Sequence, residues 1–283
     1  MFIIRYDSTS TVYTVHHYSA SLQRIITAHH YSESLQYIIT AHHYNTSLQR
    51  IIIAHHYSTW IVSGRYAHLF SKGILVMLIY LVRHGETEWN KAHRLQGRSD
   101  IKLNEKGREL ALITGKAFED RSLDVIFSSP LIRAYETASL IRGHRDTSIV
   151  CDDRIKEICF GDYEGKETEE LMKDGSGRLQ AFFGETEKYD PPDGGESIDE
   201  LRARTQSFLD DKILACENIY DNVMIVAHGA CNCSIRLNML KLPNDQFWKG
   251  AYQHNCCVST IELKNGKYTM QDECRTYYDV CDS

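Results

Sequence analysis

From Ile74 onward, short uniformly apolar runs alternate with longer segments whose apolar positions recur every three or four residues. Ile74 to Val82 reads as a central parallel strand, apolar on both faces. Asn104 then caps a helix carrying Leu110, Ile113, Ala117 and Phe118 on one side. Val125 to Ser128 is the next strand, and Ser129-Pro130 supplies a cap and a first-position proline for a helix to about Arg142. Ser197 with Glu200 forms a capping box opening a helix from Ile198 to Cys216. Val223 to Ala227 is another buried strand, followed by Gly229 and a helix to about Leu240. Val258 to Leu263 and Lys267 to Gln271 flank Asn265-Gly266, a two-residue hairpin signal. The alternation predicts an α/β domain over residues 77–283, with a doubly wound, mostly parallel sheet and helices on both faces. Ligands in such sheets sit beyond the carboxyl ends of the strands.

Residues 1–76 follow a different rule. His16 to Ala28, His29 to Ala41 and His42 to Ala54 are near-identical copies, and a fourth copy starts at His55 and decays after Thr59. The period of 13 residues turns each copy by about 220° in a helix, so no apolar stripe accumulates. In a strand, an odd period flips each copy to the opposite face. The segment is therefore expected to be irregular: a recent expansion, or upstream sequence read in frame with Met77 as the true start. Its four His-His pairs would make only a weak, unselective chelator for nickel, copper or zinc. No metal and no cofactor is expected in the protein's function.

Composition adds constraints. Residues 77–283 carry 27 basic and 36 acidic side chains, a net of −9, which argues against nucleic acid or an anionic membrane as partner. All nine cysteines lie between Cys151 and Cys281, in odd number and without a repeated C-x-x-C spacing. That pattern fits reduced thiols in a cytoplasmic protein better than a disulfide framework or a zinc site. Cys231/Cys233 and Cys256/Cys257 read as small buried fillers. The nine-residue run Ile74 to Val82 is about half a membrane span.

Candidate chemistry gathers at the predicted strand ends. The first strand runs into Arg83-His84-Gly85, the second into Ser128-Ser129-Pro130 with Arg133 one helical turn on, and a third into His228-Gly229. Each piece alone is commonplace. Together they bring two histidines and two arginines to one sheet edge, a cluster suited to a phosphate or similar anion.

These residues belong to longer motifs: Leu81-Val82-Arg83-His84-Gly85-Glu86-Thr87-Glu88-Trp89-Asn90, Arg94-Leu95-Gln96-Gly97-Arg98-Ser99-Asp100, Leu103-Asn104-Glu105-Lys106-Gly107, Ser128-Ser129-Pro130-Leu131-Ile132-Arg133, Glu157-Ile158-Cys159-Phe160-Gly161-Asp162-Tyr163-Glu164-Gly165 and Ala227-His228-Gly229. As an ordered set they resemble the histidine phosphatase, or phosphoglycerate mutase-like, superfamily. The resemblance implies that His84 attacks phosphorus to form a phosphohistidine. Arg83, Arg133 and His228 would hold the phosphoryl oxygens, Asn90 would add a hydrogen bond, and Glu157 would donate the proton. Gln96, Gly97 and Gly229 match positions lining the substrate site. Two departures, Cys159 and Tyr163 in place of a common Trp, lie beside Glu157 in sequence and are expected to alter leaving-group fit. Ala230-Cys231-Asn232-Cys233 is an unusual sequence after the second histidine.

The compact domain of 207 residues and its Arg-Leu-Gln-Gly-Arg-x-Asp segment resemble bacterial α-ribazole phosphatases and broad-specificity phosphatases. The implied activity is hydrolysis of a small-molecule phosphate ester, α-ribazole phosphate being one candidate substrate. A phosphoglycerate mutase is the runner-up and an inactive phosphate-binding module the third reading. A homodimer is left open.

Overall fold

The computed structural model describes residues 76–280 in full and, before them, the backbone of five strands. The chain divides into two compact units, Met1–Gly73 and Ile74–Ser283.

In the first unit, β1 (Phe2–Tyr6), β2 (Val12–Ser19), β3 (Leu22–Tyr31), β4 (Gln36–His43) and β5 (Arg50–His55) pair antiparallel in sequence order. The odd period does not forbid a sheet once successive copies run in opposite directions. Ile25 pairs with His42 and His29 with Ile38, so the reversal of direction cancels the odd repeat and equivalent positions stay in phase on the pleat.

The second unit is a three-layer α/β sandwich. Its strands are β6 (Met77–Arg83), β7 (Val125–Ser128), β8 (Ser148–Cys151), β9 (Asn222–Ala227), β10 (Val258–Lys264) and β11 (Lys267–Arg275), in the order β11-β10-β6-β9-β7-β8. The β6–β9, β9–β7 and β7–β8 pairs are parallel, and the β10–β11 hairpin adds two antiparallel strands at one edge. Asn265 and Gly266 both adopt positive φ, 53° and 74°, as the hairpin signal requires. The short edge strand β8 has mostly exposed residues, which is why no apolar run announced it.

Helices cover both faces, as the alternation predicted. On one face α2 (Glu105–Ala117) and α3 (Ile132–Arg142) cover Tyr80, Val82, Ile126 and Met224. On the other, α6 (Ile198–Phe208) and α7 (Gly229–Leu240) cover Ile79, Leu81, Val223 and Ile225. Three short helices, α1 (Glu88–Lys91), α4 (Thr168–Leu171) and α5 (Arg178–Gly184), lie in the connections above the carboxyl ends of the strands. A second apolar cluster, including Leu95, Phe160, Leu179, Phe182 and Phe247, consolidates those connections.

Three boundaries differ from expectation. Strand β6 starts at Met77, and residues 74–75 lie outside the described residues. The helix from Ile198 keeps its Ser197–Glu200 capping box, but after Phe208 it becomes a wide π turn over Leu209–Ile213 and a tight 3-10 turn to Cys216. Helix α3 is capped by the backbone of Leu131 rather than by Ser129, because the Ser129 hydroxyl is engaged elsewhere.

Candidate active site

The carboxyl ends of β6, β7 and β9 converge as the sequence suggested. His84 follows β6 directly and is 3% exposed. Its Nδ1 lies 2.7 Å from the carbonyl oxygen of Gly85. Nδ1 therefore carries the proton, and the lone pair sits on Nε2. Burial, with Arg133 and then Arg83 nearby, holds the imidazole well below the ordinary histidine pKa. His84 is thus a neutral base with one free nitrogen.

A close backbone crossing fixes this strand end. A Cβ on Gly85 would meet the Gly107 carbonyl oxygen at 2.5 Å, and a Cβ on Gly107 would meet the Glu86 carbonyl oxygen at 2.1 Å. Only glycine at both positions lets the start of α2 pack against the turn after His84. The Gly85 amide donates to Thr137 Oγ1 on α3, and Asn255 Nδ2 donates to the His84 carbonyl.

Arg133 is the largest fully buried side chain among the described residues. Its two terminal nitrogens each donate at 2.7 Å, to the carbonyls of Ser99 and Gly97, while Nε is buried and unpartnered. Burial pulls its pKa down to about 10, against the attraction of Glu157, Asp100 and Glu164, so it remains a cation at neutral pH. Arg83 donates from one terminal nitrogen to the Gln253 carbonyl and likewise leaves Nε buried and unpartnered. Neither guanidinium forms a direct ion pair with a carboxylate among the described residues.

His228 caps the start of α7 and is fully buried. Its ring lies 5.1 Å from that of His84, centroid to centroid. Burial first, then Arg133, also holds this imidazole well below the ordinary value. Ser129 Oγ accepts from the Leu131 amide and lies 2.8 Å from His228 Nε2. The other ring nitrogen of His228, Nδ1, is buried without a partner.

Glu157 Oε1 accepts from the Cys231 amide at 2.9 Å and Oε2 from the Ala230 amide at 3.2 Å, so the carboxyl rests on the first turn of α7. A Cβ on Gly229 would lie 3.8 Å from Glu157 Oε2 and 3.9 Å from Arg83 Nε. The absent side chain thus keeps open the space between those two groups. Asn90 Oδ1 accepts from the Thr87 amide and hydroxyl at 3.1 Å, which turns its Nδ2 end free. Gly97 has φ +52°, and a Cβ there would strike Glu164 Oε1 at 2.1 Å.

A cavity of about 580 Å³ joins these groups. Arg83, His84, Asn90, Gln96, Gly97, Arg133, Glu157 and Gly229 all line it, and His228 adjoins it through His84. Phe182, Phe183, Phe247 and Trp248 form its aromatic wall. The geometry gathers two neutral imidazoles, two cations and a carboxyl at one end of this cavity.

Cys159 and Tyr163 do not line the cavity, which corrects the expectation that they shape leaving-group fit. The Tyr163 hydroxyl donates to Asp174 at 2.8 Å, and the Cys159 thiol donates to the Gly194 carbonyl at 3.2 Å. Both stabilise the loop behind Glu157. Cys231, Cys233, Cys256 and Cys257 are buried, as expected of fillers, although Cys233 and Cys257 also reach the cavity wall.

Sequence reasoning missed the residues that hold this loop in place. Arg204 pairs with Glu196 through two bonds and donates to the carbonyls of Arg154, Lys156 and Glu157. Glu164 accepts from the amides of Arg98, Ser99 and Phe160, joining the Gln96–Ser99 turn to the Glu157 loop. The capping role assigned to Ser129 also hid its contact with His228.

The profile of the histidine phosphatase superfamily (branch 1) matches residues 79–274. The chain is 33% identical over 190 residues to phosphoserine phosphatase 1 of Hydrogenobacter thermophilus, covering 67% of this chain and 88% of that protein. It is 32% identical over 189 residues to a protein of Erwinia tasmaniensis named probable phosphoglycerate mutase GpmB, covering 66% and 85%. The solved structure of YhfR from Bacillus stearothermophilus superposes with a TM-score of 0.63 at 33% identity, covering 70% of this chain and 96% of that one. With no helix among the described residues long and apolar enough to cross a membrane, the fold and the strand-end motifs agree with these likenesses: the chain belongs to the histidine phosphatase superfamily, branch 1.

Proposed function

We propose that the protein is a phosphomonoester hydrolase acting through a phosphohistidine on His84, without a metal. The observation that carries this reading is the pair of arginines, one fully buried, that lack carboxylate partners while their Nε atoms, with His228 Nδ1, stand unpartnered around His84. Buried cations without counterions are costly, and a phosphate dianion would supply the missing charge and acceptors together.

In the proposed reaction His84 Nε2 attacks phosphorus in line and the bond from phosphorus to the ester oxygen breaks. Glu157 gives its proton to the departing alkoxide. Arg83, Arg133, His228 and the free Asn90 amide stabilise the equatorial oxygens, the task metals perform in other phosphoryl-transfer sites. Water then attacks the phosphohistidine and gives its proton back to Glu157. The P–N bond breaks, and inorganic phosphate leaves with His84 neutral again. Throughout, Nδ1–H stays on the Gly85 carbonyl.

Hydrolysis is preferred over mutase chemistry because a mutase must shield its phosphoenzyme from water. Here the aromatic wall opens to solvent, with Phe183 42% and Tyr252 74% exposed. The phosphoserine phosphatase among the relatives supports a small phosphorylated metabolite as substrate, and the resemblance to α-ribazole phosphatases makes α-ribazole phosphate a candidate. The test is a panel of phosphomonoesters, with EDTA present, on the full chain. Turnover that survives EDTA and is lost in His84→Ala supports the reading. Loss with EDTA overturns the metal-free mechanism. Exchange between 2- and 3-phosphoglycerate faster than hydrolysis favours the mutase.

A further inference from the structure

The cavity continues past the phosphate end along α7. Asn232 and Arg236 both line it, one and two helical turns beyond His228 on the same helix face. Most other polar side chains on this part of the wall are occupied. Arg236 donates to the carbonyls of Gln246 and Phe247 and faces Glu273, while Gln253 Nε2 donates to the Gly229 carbonyl and the Cys233 sulfur. Asn232 differs. It is 3% exposed, its Oδ1 is buried without a partner, and its Nδ2 makes no hydrogen bond among the described residues. Buried amides in folded proteins are almost always paired. One that lines a cavity and is not paired is placed for a ligand.

The amides of Ala230 and Cys231, which hold Glu157, immediately precede Asn232 in the chain. Glu157 and Asn232 line the same cavity, so an alcohol whose ester oxygen meets Glu157 can present a hydroxyl to Asn232. The carboxamide offers one acceptor and a donor pair but no charge. It matches a hydroxyl, which can both give and accept, better than a carboxylate. The nearby cations do not alter this, since Arg94 is paired with Glu167 and Arg236 faces Glu273.

We propose that Asn232 is a specificity-determining residue, selecting phosphate esters whose alcohol carries a hydroxyl on the carbon next to the phosphorylated one. The inference rests on the hydrolase reading above. The probe pair is glycerol 1-phosphate and propyl phosphate, which differ by their hydroxyls and share the ester. The wild-type chain should favour glycerol 1-phosphate in kcat/KM. In Asn232→Leu that preference should fall about tenfold, the worth of one well-placed hydrogen bond. The thermal midpoint of Asn232→Leu should be unchanged or higher, because an unpaired buried amide is replaced by an apolar side chain of similar size.

A preference that does not change overturns the inference. So does a fall in midpoint accompanied by an equal loss for both esters, which would make Asn232 a packing residue. Should Asn232→Leu not fold, Asn232→Ala is assayed for the same ratio: a tenfold fall supports the inference and an unchanged ratio overturns it. Turnover of no phosphomonoester by the wild-type chain removes the hydrolase reading and this inference with it. Hydrolysis of both esters without discrimination by the wild type removes the inference alone.

Discussion

Acidification should destabilise the second unit through its two buried histidines. His84 and His228 are both held well below the ordinary histidine value, chiefly by burial. In the unfolded chain each has a pKa of about 6.5. Between pH 7.5 and pH 5.5 the unfolded state therefore takes up protons that the folded state refuses, so stability falls as pH falls through that window. For a native pKa below the window, each imidazole contributes about 1.4 kcal/mol of lost stability over those two pH units, and the pair about 2.7 kcal/mol. The assay is guanidinium denaturation of the wild type, His84→Asn and His228→Asn at both pH values, without phosphate. Each variant should lose about half of the wild-type histidine contribution to the pH dependence. Equal pH dependence in all three proteins would refute the burial argument. A wild type that gained stability on acidification would contradict it as well.

Two further substitutions probe the scaffold. Arg204→Ala removes the bidentate partner of Glu196, which keeps Arg98 at 3.2 Å, and frees the Glu157 carbonyl, so denaturation should register a loss of about 2–3 kcal/mol and kcat should fall about a hundredfold through displacement of Glu157; stability within about 1 kcal/mol of wild type would contradict this. Gly97→Ala forces a Cβ into Glu164 at positive φ, which should cost about 2–4 kcal/mol and weaken inorganic phosphate binding, measured calorimetrically, because the Gly97 carbonyl orients Arg133; an unchanged phosphate Kd would separate Gly97 from the site.

How much is legible in the sequence depends on whether a residue acts from its own element. Arg83 ends an apolar strand, His84 and His228 follow apolar strands directly, and Arg133 sits in the first turn of a helix that starts just beyond a strand end, so local pattern suffices to bring them together. Glu157 sits in an irregular loop, and only its motif singles it out from 38 acidic residues. Arg204 is not legible at all, and Glu164 appears only as a motif position without its role. Their bonds to the Glu157 carbonyl and to the Arg98 amide span 40 or more residues, and no periodicity encodes such contacts. Ser129 reads as a hydrogen-bonding residue but has a different partner from the one its sequence suggests, because a Ser-Pro pair before a helix looks the same whether its hydroxyl caps the helix or holds a histidine. The odd period of the tandem repeat excludes one continuous strand but is compatible with strands that reverse once per repeat.

The central claim is that His84 Nε2 carries the phosphoryl group between ester and water. Acid-labile phosphohistidine can be captured by quenching the enzyme into base during turnover of a phosphate ester, followed by mass spectrometry of the peptide containing Arg83, His84 and Gly85. One phosphoryl group on His84, absent from His84→Ala, is the predicted result. Turnover with a phosphoryl group on any other side chain, or with none on His84, would contradict the account.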